Sequence, residues 1–282
     1  MTAYRTELLG PTFGAKISGL DLRDPIDEAT ATDLVGDFHE HRLLVIPGQE
    51  LTHADHLRVS RIFGTLDRHV LQQYTVPGYP EVITISNIFK DGEPIGLYDG
   101  DQEEEWHTDY SWKKTMSSAS LLYSVIVPSH GGATLFADTT AAHDELPKGL
   151  RERIGNMRTV HSMTHLFAEQ EKLNPSKVPL TREQREQVPD VEHPLVRVHP
   201  ATGRHSLLLG DMIIRGIVGL DELESATLLD ELHAHATQPK YVYGHHWSVG
   251  DLVIWDNRAT MHTATPCDHR FHQRLLYRTT VM

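Results

Sequence analysis

Cysteine is nearly absent: Cys267 is alone among 282 residues. That excludes an internal disulfide framework and any cysteine-based metal cage, and nothing favours an oxidising compartment. No apolar run approaches the roughly 20 residues of a membrane span. The opening Met1-Thr2-Ala3-Tyr4-Arg5-Thr6-Glu7 has no apolar signal core. Basic residues are in deficit, with a formal charge of -13, against the basic face that a nucleic-acid partner demands. Repeats, low-complexity tracts and composition breaks are also missing. The expectation is a soluble cytoplasmic chain with a small-molecule partner and neither nucleic acid nor membrane. An anionic substrate stays compatible, because a few arginines at the bottom of a pocket set the local field. The sequence leaves open whether copies associate into a homo-oligomer.

Histidine, by contrast, is abundant, with 20 copies. Most have bland settings. His161 and His165 stand four apart without the glutamate of a zinc-protease motif. His233 and His235 fall in an amphipathic helix, where residues two apart do not share a face. His245 and His246 are adjacent, so on a strand they point to opposite sides. Two others come with context. Trp106-His107-Thr108-Asp109 places an imidazole and a carboxylate two residues apart, on one face if the backbone is extended. His262 follows about 150 residues later, just after the strand-like run Leu252-Val253-Ile254-Trp255, in the stretch Trp255-Asp256-Asn257-Arg258-Ala259-Thr260-Met261-His262. Two imidazoles and one carboxylate form the facial triad of non-haem Fe(II) oxygenases, with positions open for cosubstrate and O2. Neutral imidazoles and one carboxylate leave a net positive site that accepts a bidentate 2-oxo acid. Arg274-Leu275-Leu276-Tyr277-Arg278 then supplies two guanidiniums four residues apart, suited to a distal carboxylate.

With these motifs the chain resembles the taurine/2,4-dichlorophenoxyacetate dioxygenases, which are Fe(II)- and 2-oxoglutarate-dependent, and within them the aryloxyalkanoate branch. The likeness runs in order from about residue 5 to the C-terminus. It includes Leu43 to Gln49, Phe63-Gly64-Thr65-Leu66, the His107 and Asp109 motif, Val127-Pro128, Gly131 to Asp138, and Gly250 to Arg258. It implies a double-stranded β-helix (jelly roll) core and three metal ligands, His107, Asp109 and His262. It also implies that Thr134 and Arg274 bind the far carboxylate of 2-oxoglutarate. The interval from His262 to Arg274 is one residue longer than the family pattern, with the insertion around Pro266-Cys267-Asp268. Arg270 is therefore the rival to Arg274. The resemblance points to Arg278 and His69 as substrate contacts. Glu103 stands where some members use an amide for substrate, and its carboxylate would repel an anion or favour a donor-bearing group. Asp109 points to hydroxylation, since halogenating relatives lack this carboxylate. The implied reaction consumes O2 and 2-oxoglutarate, releases succinate and CO2, and hydroxylates a small organic anion. An aryloxyalkanoate hydroxylated beside its ether oxygen would be cleaved.

The local signals fit a mainly β chain with peripheral helices. Short strand signals lie around Phe13 to Ile17. A helix is expected from Glu28 to His41 and a strand from Leu43 to Ile46, closed by Pro47-Gly48. Thr52 with Asp55 reads as a capping box, for a helix ending near Phe63-Gly64. Glu81 to Asn87 and Ser118 to Val127 read as strands, and Leu146 to Met157 as a helix with Pro147 near its start. Leu195 to His199 and His205 to Leu209 form a hairpin across Pro200-Ala201-Thr202-Gly203. A helix from Asp221 to Thr237 precedes strands at Lys240 to Trp247, Asp251 to Trp255 and Gln273 to Thr280. Residues 1–282 read as one domain. A lid or insertion is expected at about 165–194, where Lys172 to Pro194 is rich in Pro, Glu, Gln and Arg. Competing functions are the same chemistry on a sulfonate, sulfate ester or amino-acid-like natural product, a zinc hydrolase, or a non-catalytic metal-binding barrel. A zinc hydrolase would give Thr134 and Arg274 no task, and no glutamate base accompanies the triad.

Overall fold

A computed structural model describes residues 3–69, 72–97, 105–173, 180–268 and 270–282. Eleven strands form the two sheets that matter for the site. In chain order they are β1 (Arg5–Leu8), β2 (Ala15–Ser18), β3 (Leu43–Ile46), β4 (Thr75–Val76), β5 (Tyr79–Ser86) and β6 (Ala119–Ile126). They continue with β7 (Thr134–Asp138), β8 (Val242–His245), β9 (Leu252–Asp256), β10 (Thr260–Ala264) and β11 (Leu275–Val281). The large sheet has the order β1-β2-β3-β9-β6-β11-β5-β4, and the small one β8-β7-β10. All these pairings are antiparallel except β2 with β3. The two sheets make a jelly-roll core, as the sequence implied.

The burial pattern explains the layers. Leu43 and Val45 face a cluster with Phe136, Trp247, Val253 and Trp255, which joins the large sheet to the small one. Leu44 and Ile46, pointing the other way, meet Leu34 and Phe38 of the Glu28–His41 helix. A strand covered on both faces has no use for alternation, so β3 is apolar throughout. The small sheet follows the same rule. Phe136 points inward, while Ala137 and Met261 pack outward with Leu228 and Leu232 of the Glu222–Ala236 helix. Because Met261 points out, period two turns His262 inward. Each fully buried Leu, Ile or Phe contributes roughly 1.5–3 kcal/mol, so these three clusters fix the sheets that carry the site.

Several local expectations coincide with the structure. The first helix spans Glu28–His41, with Asp27 accepting from the Thr30 N–H, and stops at Arg42 in the left-handed region (φ 63°). Thr52 and Asp55 form the reciprocal capping box. The hairpin pairs Val196–Val198 with His205–Leu207. Other expectations change. The second helix ends at Ser60, and its exit tightens through Ile62 N–H to Val59 O and Phe63 N–H to Ser60 O. Gly64 is not its cap. At φ 144°, it lies where a Cβ would come within 2.8 Å of Val281 Cγ1, so its role is close approach to β11. The segment expected as a lid contains helices Met163–Leu173 and Arg182–Gln187, with residues 174–179 outside the described set. Its end is regular structure: Val191–Pro194 pairs with Arg158–His161 as sheet.

Candidate active site

His107 is not part of a regular strand. It forms an isolated antiparallel bridge with His262 of β10, each N–H donating to the other's carbonyl at 2.9 and 2.8 Å. Three residues later the chain turns at Tyr110, whose φ is 60°. The shared face of His107 and Asp109 thus comes from one bridge and a turn rather than from the extended strand the spacing suggests. The result is the same constellation. One ligand atom from each of His107, Asp109 and His262 lies within 4.8 Å of the others. The two imidazole centroids are 4.2 Å apart. His262 is wedged beside Trp255 and Phe136, at 4.8 and 6.0 Å between centroids.

The donor set fits a divalent metal. His107 Nδ1 is 2.8 Å from the Glu105 carbonyl and donates to it, which leaves Nε2 with its lone pair. Burial pushes the His262 imidazole down to about 3, with His107 adding to the effect, so the ring is neutral, as a ligand must be. Burial alone would raise the Asp109 carboxyl. The Arg278 guanidinium, the two imidazoles and the Ser120 hydroxyl outweigh it and hold the group well below the usual carboxylate range. Ser120 Oγ donates to Asp109 Oδ2 at 2.6 Å, and Arg278 Nη1 to Oδ1 at 3.0 Å. Each carboxylate oxygen keeps a lone pair for a metal.

Beside the cluster lies a cavity of about 240 Å³ whose lining includes His107, His262, Thr134, Arg274 and Arg278. Thr134 is the first residue of β7, and its Oγ1 accepts from Trp247 Nε1 at 3.1 Å. The hydroxyl proton remains available to an anion. Arg274 is buried just before β11, and desolvation pushes its guanidinium down to about 10, still charged at neutral pH. Its backbone is clamped. Arg274 N–H donates to Asn87 Oδ1 at 2.8 Å, and its carbonyl accepts from Ser86 Oγ at 2.9 Å. Arg270 is exposed and pairs with Asp268 at 2.6 Å. Of the two rivals, Arg274 lines the cavity.

The remaining candidates diverge. Arg278 lines the cavity and pairs with Asp109, so it touches the metal cluster as well as the space beside it. His69 is half-buried, 6.3 Å from Tyr110 between ring centroids. Desolvation, with Arg278 and Lys113 nearby, pushes it down to about 4. Glu103 lies outside the described residues. The bland histidines behave as expected in one visible case: His245 is buried and His246 exposed. Sequence reasoning missed Ser120, Trp247 and Asn87. The only signal for Ser120 was a hydroxyl in the apolar run of β6. Asn87 and Trp247 gave none, since their partners come from remote segments.

A family model described as "Taurine catabolism dioxygenase TauD, TfdA family" matches residues 5–280. The chain is 31% identical to the alpha-ketoglutarate-dependent 2,4-dichlorophenoxyacetate dioxygenase of Burkholderia sp., over 99% of this chain and 95% of that one. It is 35% identical to the (S)-phenoxypropionate/alpha-ketoglutarate-dioxygenase of Sphingobium herbicidovorans, over 94% and 91%. The crystal structure of AAD-2 in complex with Mn(II) and N-oxalylglycine superposes with a TM-score of 0.84 at 30% identity. It covers 100% of this chain and 97% of its own.

Proposed function

Because the chain belongs to the taurine catabolism dioxygenase TauD, TfdA family, and is a 2-oxoglutarate-dependent dioxygenase using Fe(II) and O2, we propose that its substrate is a small carboxylate of the aryloxyalkanoate type. In this reading His107, Asp109 and His262 hold the iron. Thr134 and Arg274 hold the distal carboxylate of 2-oxoglutarate, and Arg278 with His69 receives the substrate anion. The observation that carries it is the convergence of the three-residue cluster and the Thr134/Arg274 pair on one cavity. A zinc hydrolase would leave that pair without a task.

When bound, the metal and cosubstrate would supply the oxidising power, with 2-oxoglutarate converted to succinate and CO2. The protein's own residues position and exclude. Arg274 and the Thr134 hydroxyl present a buried positive end to an anion, where a charge-assisted pair is strongest. The lining by Leu122, Trp255, Ile85 and Ala264 keeps that end dry. Arg278 spends one donor on Asp109 and has the rest of its fork for a substrate carboxylate. Hydroxylation next to the ether oxygen gives a hemiacetal, which collapses to a phenol and an oxo acid.

The chain is read as one catalytic domain, with the Met163–Leu173 helix as cover. The support is Gln170 Nε2, which donates to Glu105 Oε1 at 3.2 Å, on the segment that leads into His107. No helix among the described residues is long and apolar enough to cross a membrane. With the lone cysteine buried, the cytoplasm is the proposed compartment. Succinate release with Fe(II), ascorbate and a panel of aryloxyalkanoates, sulfonates, sulfate esters and amines tests the substrate class. Stimulation by the aryloxyalkanoates supports the reading. Stimulation by neutral or cationic compounds and by no anion would overturn it.

A further inference from the structure

Asp109 lies outside every named strand, just before a strained turn, so no ladder of backbone bonds holds it. Three side chains do. Besides Ser120 and Arg278 on its carboxylate, Ser117 Oγ donates to its carbonyl at 3.0 Å. A serine hydroxyl has one proton. With that proton committed to Asp109, each serine oxygen is left as an acceptor. One residue fills both places: Asn257 Nδ2 donates to Ser117 Oγ and to Ser120 Oγ, each at 3.0 Å. An amide nitrogen has two protons, and the two serine oxygens accept them, so every donor of the chain is used, while the buried Asn257 Oδ1 has no partner among the described residues. All three residues are essentially inaccessible to solvent, at 0%, 0% and 1% exposure for Ser117, Ser120 and Asn257. Asn257 is itself fixed, since its N–H donates to the Ser118 carbonyl at 3.0 Å. It sits in the turn between β9 and β10, and β10 carries His262.

We propose that Asn257 is a positioning residue for the metal site: its amide sets the direction of the Ser120 and Ser117 hydroxyls, and through them it holds Asp109 against the two histidines. The inference rests on the reading of His107, Asp109 and His262 as the metal ligands. Asn257 never touches the ligand directly. It acts because a hydroxyl that accepts a hydrogen bond on one side is left to direct its own proton to the other, and hydrogen-bond chains strengthen in a dry interior. Partners of this kind matter for affinity in metal sites generally, at about 10–100-fold.

The test is Mn(II) binding to the metal-free protein, read from the free-ion EPR signal without cosubstrate, beside thermal unfolding of the metal-free forms. Ser120→Ala and Asn257→Ala are each expected to weaken Mn(II) by about 10–100-fold. The double variant is expected to be no weaker than the worse single one, because both act through one chain. Ser120→Thr, which keeps a hydroxyl, should recover most of the loss. If Asn257→Ala does not fold, Asn257→Leu keeps the shape without the donors and carries the comparison. Mn(II) affinity within twofold of wild type in the Asn257 variant, or losses that add in the double variant, would overturn the proposal. Failure of the wild-type protein to bind Mn(II), or undiminished binding after His262→Ala, would instead overturn the ligand assignment itself.

Discussion

The floor of the cavity and its mouth are built in different ways. At the floor, Thr134 opens a strand, Arg274 is clamped by Asn87 and Ser86, and His262 sits mid-strand among Trp255 and Phe136. Every one of these positions is fixed by pairing or by burial. Toward the mouth, His69 lies in a loop, and the Met163–Leu173 helix meets the segment before His107 through the Gln170–Glu105 hydrogen bond. The floor therefore suits groups that never change, a metal and a cosubstrate. The mouth suits groups that differ between substrates, since loops tolerate change and strands do not. Arg278 belongs to both regions, with one bond to Asp109 and a face on the cavity.

The largest effect should come from breaking the floor at the metal. His107→Ala, Asp109→Ala and His262→Ala each bring turnover below detection, because two ligands do not hold Fe(II) in a facial arrangement. Circular dichroism should show the fold largely intact. Near-normal turnover in any one of the three would remove that residue from the triad. Next comes Arg274→Ala, which should raise the 2-oxoglutarate requirement by about 10²–10⁴-fold, since breaking a desolvated charge pair costs about 3–5 kcal/mol. Arg270→Ala, at an exposed site paired with Asp268, should leave it unchanged. The reverse pattern would place the wrong arginine at the floor.

Arg278→Ala sharpens the comparison because it touches both sides. It should weaken substrate stimulation by about 2–5 kcal/mol, far more than it raises the 2-oxoglutarate KM. Equal changes in both would mean that Arg278 serves Asp109 alone. The last test concerns two buried histidines away from the cavity lining. His56 and His161 are buried, and desolvation pushes both to about 3. Their folded pKa values lie below the unfolded value of about 6.5. The unfolded chain therefore takes up protons first as pH falls. The stabilisation is fully present above about 6.5 and is lost progressively down to about 3, with a slope of up to about 1.4 kcal/mol per pH unit for each ring. Urea unfolding between pH 7 and 4.5 checks this, and the slope should lessen in His161→Gln.

Much of the frame was legible because its causes are local. The Glu28–His41 helix, the Thr52/Asp55 box and the Leu43–Ile46 strand depend on residues within a few positions of one another. The grouping of His107, Asp109 and His262 was legible because two imidazoles and a carboxylate in that order are a rare combination. The geometry that supports them was not. His107 and Asp109 share a site without sharing a strand, because a single bridge to His262 and the turn at Tyr110 replace a ladder. Asn87 reaches Arg274, and Trp247 reaches Thr134, across separations that no local pattern encodes. Val191–Pro194 looked like surface insertion because its pairing partner, Arg158–His161, lies well before it in the chain. Gly64 resembled a helix cap until β11 was seen beside it.

The bridge between His107 and His262 has a bearing on how the chain folds. Contacts between segments so far apart in sequence carry a large loop-closure cost and form slowly. His107, Asp109 and His262 come together only once β10 has docked against the segment before Asp109, so the site exists only where that long-range pairing has formed. A metal that binds only the finished arrangement draws the whole equilibrium toward it, by about 2.7 kcal/mol at a hundredfold excess over Kd. In this protein the cation required for turnover would also report that folding is complete.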